Sequence, residues 1–300
     1  MAVGARGVAG IKEEPVDDRP IAVFDSGLGG LTVVRALQRH LPYETIIYFG
    51  DSARVPYGTK TSQTVLQFAE QDCHFLLRFA PKMVIVACNT ASALALDDLE
   101  PRVPVPVVGV VMPGAAEAVR QAEGGGIAVL ATEATVASEA YPRAIHLLSP
   151  DTPVMQQRCP SLVALIEEGR AQDDPVLRML LEEYLQWIRP LNPAVVLLGC
   201  THYPLVAGAI ADLMPGARVV DSAEATAQSA HRLLAGTDAL SCSNTRGRLH
   251  CYVSDNPQRF REIGGRFLGQ PLREVTWVTP EQFFHEESHQ LHNGVHARGG

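Results

Sequence analysis

From position 21 onward, short aliphatic runs alternate with longer segments whose apolar residues recur at helical spacing. The runs at 21–25, 83–87, 127–131 and 194–199 are continuous in Val, Ile, Leu and Ala instead of alternating with polar residues. That pattern predicts strands buried on both faces, as in parallel sheets between helical layers. The full order reads strand 21–25, helix 30–40, strand 45–50, polar loop 51–62, helix 63–79, strand 83–87, helix 91–99, strand 106–111 and helix 113–122. The break Gly124-Gly125-Gly126 precedes strand 127–131, helices near 135–147, 160–168 and 174–188, strand 194–199, helix 203–213 and strand 217–220. Helix 223–235 and a disordered-looking stretch, 236–247, lead to strand 248–253, helix 256–267 and a last strand near 274–278. Strand-helix alternation of this kind predicts an α/β fold with mainly parallel sheets.

The pattern also repeats. Residues 21–26 echo 127–132, and the run ending in Cys88 echoes the run ending in Cys200, at nearly equal intervals along the chain. Two pseudo-symmetric α/β halves facing each other across a cleft would put one thiol on either side of a bound ligand. Expected boundaries are a flexible leader over 1–20, a first domain over 21–115 plus 225–284, a second over 116–224, and a His-rich tail over 285–300. The last elements before the tail are expected to rejoin the first domain.

Composition narrows the function classes. The 300 residues are 46% hydrophobic, enough to supply cores for both halves, and no uninterrupted apolar run is long enough to span a membrane. The start of the chain is acidic where a secretory signal would be apolar, so a cytoplasmic location is expected. A net charge of −8 without basic clusters argues against nucleic acid as principal partner. Six widely spaced cysteines, none in a C-x-x-C pair, disfavour both a zinc site and a disulfide framework. Lysine occurs only at 12, 60 and 82, which leaves Lys60 alone as a conceivable Schiff-base residue for pyridoxal phosphate. No cofactor and no metal are expected.

The candidate chemistry gathers at strand ends, where open α/β sheets bind ligands. Cys88-Asn89-Thr90 and Cys200-Thr201-His202 each offer a thiol flanked by side-chain donors. A buried cysteine is ordinarily a small hydrophobe, as Cys73 and Cys251 are expected to be, but two in equivalent polar-flanked positions point to chemistry. Asp25-Ser26-Gly27-Leu28-Gly29-Gly30 reads as an anion-binding turn before a helix; a dinucleotide fingerprint is broken by Thr32 at its last position. Pro56-Tyr57-Gly58 would present a tyrosine rigidly to a ligand. His285-Glu286-Glu287-Ser288-His289 matches a zinc-protease pattern literally, yet it falls in the polar tail without a third ligand in register.

Taken together, these segments resemble the cofactor-independent aspartate/glutamate racemases, and in particular the glutamate racemases. The likeness runs from about Ile21 to Phe284 and rests on Phe24-Asp25-Ser26-Gly27-Leu28-Gly29-Gly30-Leu31-Thr32, Pro56-Tyr57-Gly58, Ala87-Cys88-Asn89-Thr90-Ala91, Thr135-Val136-Ala137-Ser138, Gly199-Cys200-Thr201-His202-Tyr203-Pro204-Leu205 and Asp221-Ser222. It implies that Cys200 takes the Cα proton from L-glutamate and Cys88 from D-glutamate, with Asp25 serving Cys88 and His202, with Glu167, serving Cys200. The implied substrate contacts are Asp25, Ser26, Pro56, Tyr57, Gly58, Asn89, Thr90, Thr201 and His202. The resemblance also implies D-glutamate supply for peptidoglycan, and the leader resembles that of racemases activated by a UDP-linked muramyl precursor; a homodimer is the expected assembly. The segment Cys159-Pro160 to Gly169 departs from the family pattern at Ser161, Leu162 and Ala164, and Val110-Val111-Met112-Pro113 varies the hinge. An aspartate racemase is the alternative, disfavoured by His202 where those enzymes carry Glu. A small-anion binding protein on the same fold would leave the two thiols unexplained.

Overall fold

The aliphatic runs form two all-parallel sheets in the computed structural model of the chain, which describes residues 17–284. In chain order the strands are β1 (Ile21–Asp25), β2 (Ile46–Gly50), β3 (Met83–Val86), β4 (Val107–Gly109), β5 (Ile127–Ala131), β6 (Val154–Arg158), β7 (Val195–Gly199), β8 (Arg218–Asp221), β9 (Leu249–Val253) and β10 (Val275–Trp277). The first sheet has the order β10-β9-β2-β1-β3-β4 and the second β6-β5-β7-β8. The internal echo is therefore a repeat of topology: β2-β1-β3-β4 and β6-β5-β7-β8 are the same four-strand unit, and β9 and β10 extend only the first sheet.

Register fixes where the chemistry lies. Phe24 is level with Val86, and Ala131 with Gly199, so the residues just beyond β1 and β3, and just beyond β5 and β7, emerge together at the carboxyl edge of each sheet. Strands β1, β3, β5 and β7 are buried throughout because helices cover both faces. One core cluster includes Val23 and Leu37 from the first half with Leu130 and Leu198 from the second. The helix Ser222–Gly236 packs against both Leu31–His40 and Val111–Ala122, joining the halves behind the cleft.

Several elements differ from expectation for identifiable reasons. Strand β6 was not expected: its sequence Val-Met-Gln-Gln-Arg is polar because it lies at a sheet edge, half exposed. The helix expected over 135–147 is two, Glu133–Ala137 and Ala140–Leu148, separated where Glu139 takes a left-handed φ of 56°. The stretch 236–247, expected to be disordered, is irregular but tied down. Lys82 Nζ donates to the Ala239 carbonyl at 2.7 Å and pairs with buried Glu44 at 2.7 Å, while Glu44 also accepts the Ser241 amide. Lys82 further donates to the Asp17 carbonyl, so residues 17–20 are anchored beside the first sheet. The rest of the leader, and the His-rich tail with its zinc-like pattern, lie outside the described residues. Among the described residues no helix is long and apolar enough to cross a membrane.

Candidate active site

Both strand-end thiols open on one cavity of about 270 Å³ between the sheets. Beyond β3, Cys88 caps the helix Asn89–Leu94 with its own sulfur, accepting the Ala91 amide at 3.5 Å. Its Sγ donates toward Ser26 Oγ, also at 3.5 Å, across from the end of β1. Beyond β7, Cys200 lies 3.9 Å from His202 Nδ1, and His202 Nε2 reaches Glu167 at 2.9 Å. Each thiol thus has a different attendant: a hydroxyl and a backbone amide for Cys88, an imidazole backed by a carboxylate for Cys200.

The electrostatics follow from those surroundings. Burial pushes the Cys88 thiol up to about 12, and the negative charge of nearby Asp25 acts in the same direction. Burial alone would lower His202, but its hydrogen bonds to Cys200 and Glu167 carry it up to about 10, so the ring is an imidazolium at neutral pH. Burial opposes ionisation of Glu167 as well, yet the bond to His202 holds its carboxyl below the ordinary value. No Lys or Arg lines the cavity among the described residues, which leaves His202 as its cationic group.

Every expected site residue except Asp25 lines this cavity. Asp25 is fully buried behind it, its carboxylate accepting the Gly27 amide at 3.0 Å and the Thr201 hydroxyl at 3.4 Å. This corrects the reading of the glycine turn as an open anion site: the turn spends its Gly27 amide on a carboxylate of its own, and Tyr48 holds it from below through the Gly27 carbonyl at 2.7 Å. Tyr57 is a second correction. Its hydroxyl is spent on a buried cluster of Asp51 and Asp72 that Arg54 bridges, so Tyr57 lines the cavity without a free hydroxyl to offer.

Asn89 carries the plainest sign of an absent partner. Its Oδ1 accepts the Tyr141 hydroxyl at 2.6 Å, while its Nδ2 is buried with no hydrogen-bond acceptor among the described residues. Such a donor, left alone, costs roughly 1–3 kcal/mol, which a ligand oxygen would recover. Thr90 Oγ joins Thr132 and Thr135 in a cluster of hydroxyls at 3.0, 3.3 and 2.9 Å that spans the two halves.

Thr132, Glu133, Cys159, Pro160 and Val163 also line the cavity and were not anticipated. Thr132 had a signal, since it ends the run that echoes 21–26. Cys159 opens the segment compared above with the family pattern, but it follows the polar edge strand β6, which the sequence pattern did not reveal.

Comparison with known proteins gives the family. Residues 31–230 match the family model of Asp/Glu/Hydantoin racemases. A curated glutamate racemase of Chlorobaculum tepidum is 45% identical over 263 residues, covering 87% of this chain and 96% of that protein. The crystal structure of glutamate racemase from Francisella tularensis in complex with D-glutamate superposes with a TM-score of 0.82 at 36% identity, covering 88% of this chain and 98% of that one. That of Escherichia coli glutamate racemase, in complex with L-glutamate and activator UDP-MurNAc-ala, gives a TM-score of 0.70 at 27% identity, covering 86% and 98%. The chain belongs to the Asp/Glu/Hydantoin racemase family and is an isomerase of its glutamate racemase group.

Proposed function

We propose that this protein interconverts L- and D-glutamate by proton transfer at Cα between two thiols, Cys88 and Cys200, without a cofactor, in the cytoplasm, where D-glutamate enters peptidoglycan synthesis. The observation that carries this reading is the pair of thiols at equivalent ends of β3 and β7, opening on one cavity. With the substrate Cα between them, Cys200 removes the proton of L-glutamate on one face and Cys88 delivers a proton to the other; the reverse direction exchanges their roles. A thiolate is a weak base for a Cα–H, so the negative charge building on the α-carboxylate needs donors already in place. Asn89 Nδ2 and the hydroxyls of Ser26 and Thr90 supply them, and the positive charge of the His202 ring acts in the same sense. His202, held by Glu167, passes protons to and from Cys200, and Asp25 holds Thr201 while its charge helps keep Cys88 a protonated donor.

Glutamate is preferred to aspartate as substrate because relatives that match nearly end to end are glutamate racemases and because His202 follows Cys200-Thr201. A UDP-linked muramyl precursor is the proposed activator, by analogy with the Escherichia coli complex, and a homodimer the proposed assembly. The test is isotopic. In heavy water, the first D-glutamate formed from L-glutamate carries deuterium at Cα while unreacted L-glutamate stays protiated, because the delivered proton comes from a separate, solvent-equilibrated thiol. Substantial protium in the first product, or normal turnover in Cys88→Ala or Cys200→Ala, would falsify the two-thiol reading.

A further inference from the structure

Thr32 breaks the glycine fingerprint at the start of the helix Leu31–His40, and the site as described has no use for it. It is 1% exposed, and its hydroxyl lies 2.9 Å from the Gly29 carbonyl and 3.2 Å from the Thr201 carbonyl in the other half. A hydroxyl has one proton to donate, so the two carbonyls compete for it. Gly29 O already accepts the Thr32 backbone N–H at 3.0 Å. Thr201 O is placed differently: the chain turns here into the 3-10 segment Tyr203–Val206, where a carbonyl ordinarily receives the N–H three residues on, and that residue is Pro204, which has none. The Thr32 hydroxyl fills the position that proline leaves empty.

The same turn meets the catalytic segment at two more points. The Thr201 hydroxyl donates to Asp25 Oδ1, and Gly29 is so close that a Cβ there would lie 2.0 Å from Thr201 Oγ1 and 2.6 Å from His202 Nδ1. Resting on the two-thiol reading, we infer that Thr32 is a positioning residue for the second base: through the Thr201 carbonyl, the first half's turn sets the height of Cys200 and His202 above the substrate.

Rates alone do not locate such an effect. The two enantiomers of glutamate have equal free energy in water, so damage to either proton transfer lowers kcat/KM equally in both directions. Primary deuterium isotope effects on kcat/KM do separate the steps. In Thr32→Val, kcat/KM is expected to fall roughly tenfold to a hundredfold, the scale of an ångström of misplacement. The isotope effect should rise with 2-deutero-L-glutamate, whose deuteron Cys200 takes, and shrink with 2-deutero-D-glutamate. Thr32→Ser, which keeps the hydroxyl, restores both values toward those of the unaltered protein. If Thr32→Val does not fold, as judged by circular dichroism, Thr32→Ala carries the same test. Isotope effects that stay unchanged or move together, or a Ser variant as impaired as Val, overturn the inference. A wild-type control in heavy water keeps the two readings apart: protium in the first D-glutamate removes the two-thiol mechanism, whereas deuterium there with symmetric isotope effects removes Thr32 alone.

Discussion

The His202 side chain shows how much a single residue's chemistry depends on its neighbours. A buried imidazole left alone would be neutral; paired with Glu167 and facing Cys200, it holds its proton up to about 10. Because that value is raised above the ordinary 6.5, the stabilisation it brings is full below 6.5 and is lost as pH rises through about 10. Glu167 is lowered from 4.5, so its share is present above 4.5 and is lost as pH falls through its folded value. Glu167→Gln should therefore lower thermal stability most between about 4.5 and 6.5, with the difference shrinking toward pH 10, and should bring the His202 titration, followed by NMR, down toward its ordinary range. An unmoved titration would mean that Glu167 does not hold the ring. Among the remaining thiols, Cys73→Ala and Cys251→Ala remove buried core atoms away from the cavity. Each is expected to cost about 1 kcal/mol in urea denaturation, at the low end for deleted core atoms, and to leave kcat within twofold.

Among the elements, the strand-end turns matter more than the strands. Two glycines of the first half lie at places where the halves touch beside the cavity: Gly29 against Thr201 and His202, and Gly58 against Thr132, where a Cβ would come within 2.8 Å of the threonine Cβ. Neither has a positive φ, so alanine is conformationally allowed at both and the penalty is one of contact. Gly58→Ala should push Thr132 off the cavity wall and reduce kcat/KM by about tenfold or more, with a melting temperature close to that of the unaltered protein. Full activity in the folded variant would show that the seam yields without disturbing the site. These contacts were not legible in the sequence, because the glycines read equally well as ordinary turn residues until the second half is laid against them.

For the molecule as a whole, the buried Lys82–Glu44 pair has a role that the lysine's position at the start of β3 did not reveal. It ties residues 17–20, the base of the first sheet and the irregular segment after Gly236 into one unit, at the end of β3 opposite Cys88. Removing one partner of such a pair strands a buried charge, so Lys82→Met is expected to cost about 3–5 kcal/mol in denaturant unfolding while kcat per folded molecule is retained. A loss of kcat without a loss of stability would contradict that division of labour. Deletion of residues 1–16, which spares these anchors, is the suitable variant for testing activation: a UDP-linked muramyl precursor that leaves activity unchanged in both the full chain and the truncated one would remove the proposed activator.

Local pattern was sufficient for the parallel strands, their repeat and the two thiols, because continuous aliphatic runs are dictated by burial on both faces and because a strand's polar end is set by the residues that follow it. It was insufficient for β6, whose residues answer to a solvent-facing sheet edge, and hence for Cys159 behind it. It named Asp25 and Tyr57 as site residues but not where their polar atoms point: Asp25 turns to Thr201 and Tyr57 to Asp51 and Asp72, both choices made by groups far away in the chain. The protonation of His202, the orphaned Asn89 donor and the reach of Thr32 to Thr201 likewise depend on distances between the two halves. Sequence determined which groups stand at each strand end; only the packing of one sheet's edge against the other decided which of them meet, since burial and hydrogen bonding between distant segments exist only once the chain has closed.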